Sequence, residues 1–424
     1  MSAQKLSTFK SELAKYIPEN EVAQVTHVVT SGAKGSFYQS LNGENFLDFS
    51  SGILTNSFGH GETEITNTLA EVFGSLGNIH GRQWSGTLDF YRRLFRFLPS
   101  QNYRAVTYGD GGGYSVDRCL TEIYYHLNKK KFNLVTFDCG FHGKTIGNKL
   151  TVNTHESCSF FQTYVVPPPY CYRCPFSKQR ETCDLACAEA VKEKLLACRA
   201  QVFLFEPILG SVVIIPPKDY WRHIEEFCKA HEILMVADEV LVGGGRIGTF
   251  LASTYYEIEP DIIILTKGLA NGLPLSVILF KKFLTENKLS RRKLNYSSTF
   301  MSVPALMAMS TKLLEKIERD NILTNVKSRG EQLMSGLKNL QTKFPIIGDV
   351  RGLGLIEAIE FVTADGSPNS QVCQKIFTAA EKNFLELITP TSHVLRLAPP
   401  LNVTSKEISL GLNLLERSFE HVCK

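Results

Sequence analysis

The run I-I-I-L-T-K-G-L-A-N-G-L-P-L, residues 262 to 275, decides how this chain is read. Four apolar residues in a row are the pattern of a strand buried on both faces. The strand gives out at Thr266 and Lys267, and the segment that follows is too rich in glycine and proline for a helix. An ammonium group at the end of a core strand needs a reason, because burial disfavours its charged form and lowers its pKa. A surface lysine is the plain reading. The alternative is an amine kept there to attack a carbonyl and form a Schiff base.

Working outward, the same texture recurs. Apolar runs at 105–107, 134–137, 163–166, 202–205 and 234–237 read as further strands. Helical patterns at 114–128, 185–198 and 219–231 lie between them. Strands alternating with helices indicate an α/β fold, with a largely parallel central sheet flanked by helices. In such sheets ligands bind beyond the carboxyl ends of the strands, which is where Lys267 falls. After about residue 300 the pattern changes. Helices are expected at 303–318 and 322–343, then two short strands around the glycines of G-D-V-R-G-L-G-L-I-E-A-I-E-F. The last helix opens on Thr404-Ser405-Lys406-Glu407, a capping box. We therefore expect a large α/β domain over 46–300 and a smaller α+β domain over 301–424, with residues 1–45 packed on the smaller one.

With 424 residues the chain exceeds what one core holds. It is 43% apolar and 21% charged, ordinary for a globular protein, and its net charge of +4 makes no case for nucleic acid. The short basic runs at 129–131 and 291–293 read as solvated surface. Eleven cysteines, an odd number in a long chain, argue against a secreted disulfide framework. The first residues show no apolar leader pattern, and no apolar run approaches the ~18 residues of a membrane span. A cytoplasmic setting with no membrane or nucleic-acid partner is the expectation.

Three other stretches carry chemistry-bearing residues. In L-M-V-A-D-E-V-L-V-G-G-G, from residue 234, a strand ends on Asp238 and Glu239. A carboxylate there is costly unless it caps a loop or meets a cation. One such cation is a protonated pyridine nitrogen, and with a Schiff-base lysine that describes pyridoxal 5'-phosphate. In V-T-Y-G-D-G-G-G-Y-S, from residue 106, a strand runs through three glycines into a helix. Backbone N–H groups at a helix start suit a phosphate, although a plain turn has the same sequence. In D-C-G-F-H-G-K-T, from residue 138, Phe141 is placed to lie against a flat ring. His142 is either part of that site or a satisfied loop histidine.

Taken in order, G-G-G before a helix, F-H-G-K-T, F-E-P-I-L-G, A-D-E-V, T-K-G-L-A-N-G-L-P and S-S-T-F resemble the class III aminotransferases. These are fold-type I pyridoxal-phosphate enzymes, among them ornithine and 4-aminobutyrate aminotransferases. V-R-G-L-G-L and V-L-R-L-A-P-P-L extend the likeness, which covers about residues 45 to 420. The resemblance implies that Lys267 holds the cofactor and moves the substrate proton, and that Asp238 pairs with the ring nitrogen. It implies that Phe141 and Val240 flank the ring, with His142 among the cofactor residues. Gly112 and Gly113 would bind the phosphate, and Thr299 would reach the phosphate of a partner subunit in a homodimer. Arg396 would clamp a substrate carboxylate, a task for which its planar fork is suited. The implied reaction moves an amino group from an amine or amino-acid donor to a keto-acid or aldehyde acceptor.

Several positions depart from the family pattern. Leu241 stands where a glutamine usually touches the ring oxygen, Gly111 for a serine and Tyr114 for a glutamate in the phosphate loop. Leu209 replaces a common glutamine. Ser211 replaces the glutamate that masks the substrate arginine in ornithine-type members, so Arg396 needs another partner. These changes suit an aminotransferase of altered specificity, and equally a racemase, decarboxylase or lyase on the same fold. A scaffold that serves by interaction fits poorly with retention of Lys267, Asp238 and Arg396. Residues 50–56 and Trp84 are expected at the substrate entrance. Finally, Cys171, Cys174, Cys183 and Cys187 lie in one segment. They are candidate ligands for a metal or iron–sulfur cluster, or reduced cysteines of an inserted loop.

Overall fold

The computed structural model describes residues 3–23, 30–80, 82–128, 130–152, 158–286 and 298–423. Lys129 and all of the basic run 291–293 lie outside them. The strands are β1 (30–34), β2 (37–40), β3 (45–48), β4 (103–108), β5 (132–137), β6 (161–166), β7 (202–205), β8 (234–238), β9 (262–265), β10 (276–281), β11 (347–353), β12 (356–361), β13 (385–386), β14 (388–391) and β15 (394–397).

The central sheet has seven strands in the order β4-β10-β9-β8-β7-β5-β6. The β6, β5, β7, β8 and β9 strands run parallel. Only β10 runs against its neighbours β9 and β4, so β4 points the same way as the rest. Every residue of β7, β8 and β9 is buried. Side chains alternate across a strand, and here the alternation feeds two cores. Ile263, Leu265, Phe203, Phe205, Met235 and Ala237 enter the larger one. Ile262, Ile264, Val202, Leu204, Leu234 and Val236 enter the other, under Val116, Cys119, Leu120 and Ile123 of the helix 112–126. Each such side chain is worth about 1.5–3 kcal/mol of burial.

Two four-stranded sheets complete the molecule. The order β11-β12-β15-β14 is antiparallel throughout. It is associated with the helices 322–343, 370–382 and 405–423. The capping box forms as expected: Glu407 N donates to Thr404 Oγ1 at 3.2 Å and Thr404 N to Glu407 Oε2 at 2.6 Å. The other sheet is β1-β2-β3-β13, in which β3 pairs in parallel with β13. The first 45 residues thus hold more regular structure than their pattern suggested, because β1 is short and exposed, β2 is short and only partly buried, and neither shows apolar alternation.

Candidate active site

The parallel arrangement delivers side chains from five strands to one edge. After β9, Lys267 opens a single 3-10 turn. Asp238 is the last residue of β8, Glu206 follows β7, Phe141 and His142 lie past β5, and the glycine loop follows β4.

The Lys267 amine makes no hydrogen bond among the described residues, and its pKa is pushed down to about 8. Burial is the main cause. The charge of Arg396 adds to it, and Asp238 and Glu206 oppose it. Gly268 is required for packing: a Cβ there would lie 2.8 Å from Gly243 O, so two site loops touch backbone to backbone. The glycine therefore serves loop contact.

Asp238 is 4% exposed. Its Oδ2 lies 2.8 Å from His142 Nδ1, and its Oδ1 accepts from Val240 N at 3.1 Å. His142 Nε2 in turn meets Thr136 Oγ1 at 3.2 Å. A carboxylate cannot donate, so Nδ1 carries a proton toward Asp238. His142 is thus buried behind Asp238 and fixes its orientation. Glu239 has a different task. Its carboxylate accepts from Ala252 N and Ser253 N, each at 2.7 Å, and so holds the start of the short helix 252–255.

The helix 112–126 begins after Gly111 with no side chain capping its first turn. A Cβ on Gly112 would sit 2.8 Å from Val240 Cγ1, and one on Gly113 2.9 Å from Asn148 Nδ2. Bare backbone is therefore presented at a helix N-terminus, next to Val240, with room for nothing larger. Asn148, which the sequence did not single out, donates to Gly113 O at 2.9 Å and fixes this turn. Tyr114 lies edge-on to Tyr108. An uncapped helix start, a buried carboxylate oriented by histidine and a poised amine form a donor set that fits pyridoxal 5'-phosphate.

Arg396 lies on β15, and its Nη1 donates to Gly210 O at 3.0 Å while its buried Nε has no partner. Among the described residues no carboxylate is paired with it. Burial lowers its pKa, and Glu206 opposes that. Leu241 packs against the same loop, since a Cβ on Gly210 would meet Leu241 Cδ1 at 2.3 Å. Glu206 is the residue that sequence reasoning missed. It is 2% exposed, and its two oxygens accept from Phe141 N and Gly210 N at 3.0 Å. F-E-P-I-L-G was noticed as a motif, but its partners are backbone atoms that no side-chain pattern reveals.

Phe141 joins the site through its backbone bond to Glu206 and is 44% exposed. Thr299 is exposed and its carbonyl accepts from Asn78 Nδ2 at 2.7 Å, beside Phe300, whose carbonyl binds Gly109 N. Cys171, Cys174, Cys183 and Cys187 line one pocket of about 120 Å³ away from Lys267. Among the described residues, no three or more His, Cys, Asp or Glu are arranged to hold a metal ion.

Comparison with known proteins agrees with this geometry. The model of the aminotransferase class-III family matches residues 18–419. The chain is 26% identical to a leucine/methionine racemase of Thermococcus litoralis over 95% of its length and 93% of that protein's. It is 27% identical to an acetylornithine aminotransferase of Thermosynechococcus vestitus, over 90% of each chain. The omega transaminase of Pseudomonas jessenii in complex with PMP superposes with a TM-score of 0.87 at 21% identity, covering 96% of this chain and 95% of that one. The fold is thus that of the fold-type I pyridoxal-phosphate enzymes. The chain belongs to the class III aminotransferase family, whose members use pyridoxal 5'-phosphate.

Proposed function

We propose that this aminotransferase acts on carboxylate-bearing amino donors and carbonyl acceptors, with Lys267 as its covalent and proton-moving residue. The carrying observation is that Lys267 and Asp238 stand at one edge of the central sheet while Arg396, from β15 of a second sheet, is near enough for its charge to act on the Lys267 amine. Bound pyridoxal phosphate supplies the electron sink that stabilises a carbanion at the substrate Cα. The chain supplies the rest. Asp238, held by His142, offers a fixed negative charge to a ring nitrogen. Gly112, Gly113 and the start of their helix bind the phosphate, and Val240 and Phe141 border the ring. Lys267, neutral above about pH 8, accepts and returns the Cα proton. Arg396 orients the substrate by its carboxylate.

Incubation with an amino donor alone tests this. Accumulation of pyridoxamine phosphate marks amino transfer. Inversion at Cα without it supports the second reading, racemisation, which the likeness to a leucine/methionine racemase favours. Borohydride treatment should fix the cofactor to Lys267, located by peptide mass. A protein left colourless by added cofactor would sink both readings.

Three further points belong to this reading. Thr299 serves the phosphate site of a second copy in a homodimer. The chain divides near residues 45 and 300. It works in the cytoplasm.

A further inference from the structure

We propose that Glu206 is a positioning residue that joins the carboxylate clamp to the ring-facing loop, balances the charge of Arg396 at rest, and takes a proton from solvent when a substrate carboxylate arrives. This rests on the reading of Arg396 given above.

The connection is made of backbone. Arg396 Nη1 donates to Gly210 O at 3.0 Å, Gly210 N donates to Glu206 Oε2 at 3.0 Å, and Phe141 N donates to Glu206 Oε1 at 3.0 Å. One glycine therefore carries Arg396 on its carbonyl and Glu206 on its amide. Nothing else in the loop replaces the carboxylate. Ser211, Leu209 and Leu241 cannot supply a negative charge, and Asp238 is committed to His142. Glu206 is the carboxylate that acts on the buried guanidinium through space.

Its charge state responds to the groups that face it: Asp238, His142, Cys139, Lys267 and Arg396. Burial is the main cause that pushes its pKa up to about 7; His142 and the N–H groups of Phe141 and Gly210 oppose the shift, and Asp238 adds to it. A substrate carboxylate seated on Arg396 cancels the cation that Glu206 was balancing. It also brings a second anion near. Both effects favour the protonated acid. With Ser211 in place of a glutamate, this loop offers no second carboxylate that could move away from Arg396. Here the buried acid stays in place and is neutralised instead.

The test is calorimetric titration of the cofactor-loaded protein at pH 7 with linear monocarboxylates from propionate to hexanoate. These lack an amine and cannot react. Running each in two buffers of different ionisation heat gives the protons taken up. The wild type should take up a fraction of a proton per site, because Glu206 binds more protons with a carboxylate seated on Arg396 than without one. Glu206→Gln should still bind the carboxylate but take up none. Arg396→Ala should bind at least ~10-fold more weakly, the scale of a lost charged hydrogen bond. No uptake in the wild type, or equal uptake in Glu206→Gln, overturns the proposal for Glu206 and leaves Arg396 standing. Undiminished binding by Arg396→Ala, or no binding of the series by the wild type, overturns the reading of Arg396 itself.

Discussion

Lys267 owes its reactivity to where its amine is kept. An ordinary lysine is almost wholly protonated at pH 8, whereas this one is half neutral there. Stripped of cofactor, the protein should therefore combine with pyridoxal phosphate at a rate that rises with pH through a midpoint near 8, followed by absorbance. A midpoint near 10 would mean the amine is solvated. Lys267→Arg should abolish the coupling. At the other end of the substrate, Arg396→Ala should raise KM for carboxylate substrates about 10- to 100-fold while leaving cofactor affinity nearly unchanged. Equal losses in both would show that the arginine acts on the cofactor. Lys267 and Asp238 could be found in the sequence because each ends an apolar strand, where a charge stands out. Glu206 could not. Its meaning depends on the amides of Phe141 and Gly210, and backbone donors are the same at every residue but proline.

At the scale of elements, residues 51–54 at the expected entrance form a turn of the wrong hand. Ser51, Gly52, Ile53 and Leu54 all have φ between 48° and 63°. Each L-residue held there costs about 1–2 kcal/mol, and a β-branched side chain fares worst. Ile53 is 55% exposed, so packing does not repay it. Ile53→Gly should raise the denaturant midpoint by the equivalent of about 1 kcal/mol, and a fall would mean that packing of the isoleucine outweighs the strain of its backbone. Such strain collects at functional sites. The sequence named this stretch as an entrance, but its handedness was invisible because S-G-I-L carries one glycine where four residues need left-handed backbone. The same limit hid β10. It follows β9 with no helix between, so the alternation that exposed the other strands breaks there.

At the scale of the whole molecule, Glu360 is a tie. Fully buried on β12, it accepts from Tyr170 and Arg173 of the cysteine segment, from Arg351 Nη1 at 2.8 Å, and lies 3.2 Å from His393 Nε2. Arg351 continues to Val212 O at 2.6 Å, in the loop that carries Gly210. Burial alone would raise the Glu360 pKa, but these donors and the two arginines outweigh it and hold it low. Its contribution to stability is thus complete above the ordinary glutamate range and is lost as pH falls through its depressed value. Glu360→Gln should cost up to about 3 kcal/mol near neutrality, with the gap to wild type closing in acid. It should also speed alkylation of Cys171 and Cys174, read by mass. Unchanged alkylation would show that the segment is held elsewhere.

The single reversed strand has a consequence for how the site comes into being. On the ribosome β4 and its glycine loop emerge early, yet β4 is a sheet edge whose one neighbour is β10, and β10 emerges only after Lys267. Until that strand is inserted, the phosphate cradle meets the sheet through the side chains of its helix and the contact of Gly112 with Val240, without the backbone ladder that pairs β4 into the sheet. A nascent chain halted before residue 276 would hold Asp238 and Lys267 and still lack that ladder. The backbone frame of the site is thus closed by the last strand of the sheet to be synthesised.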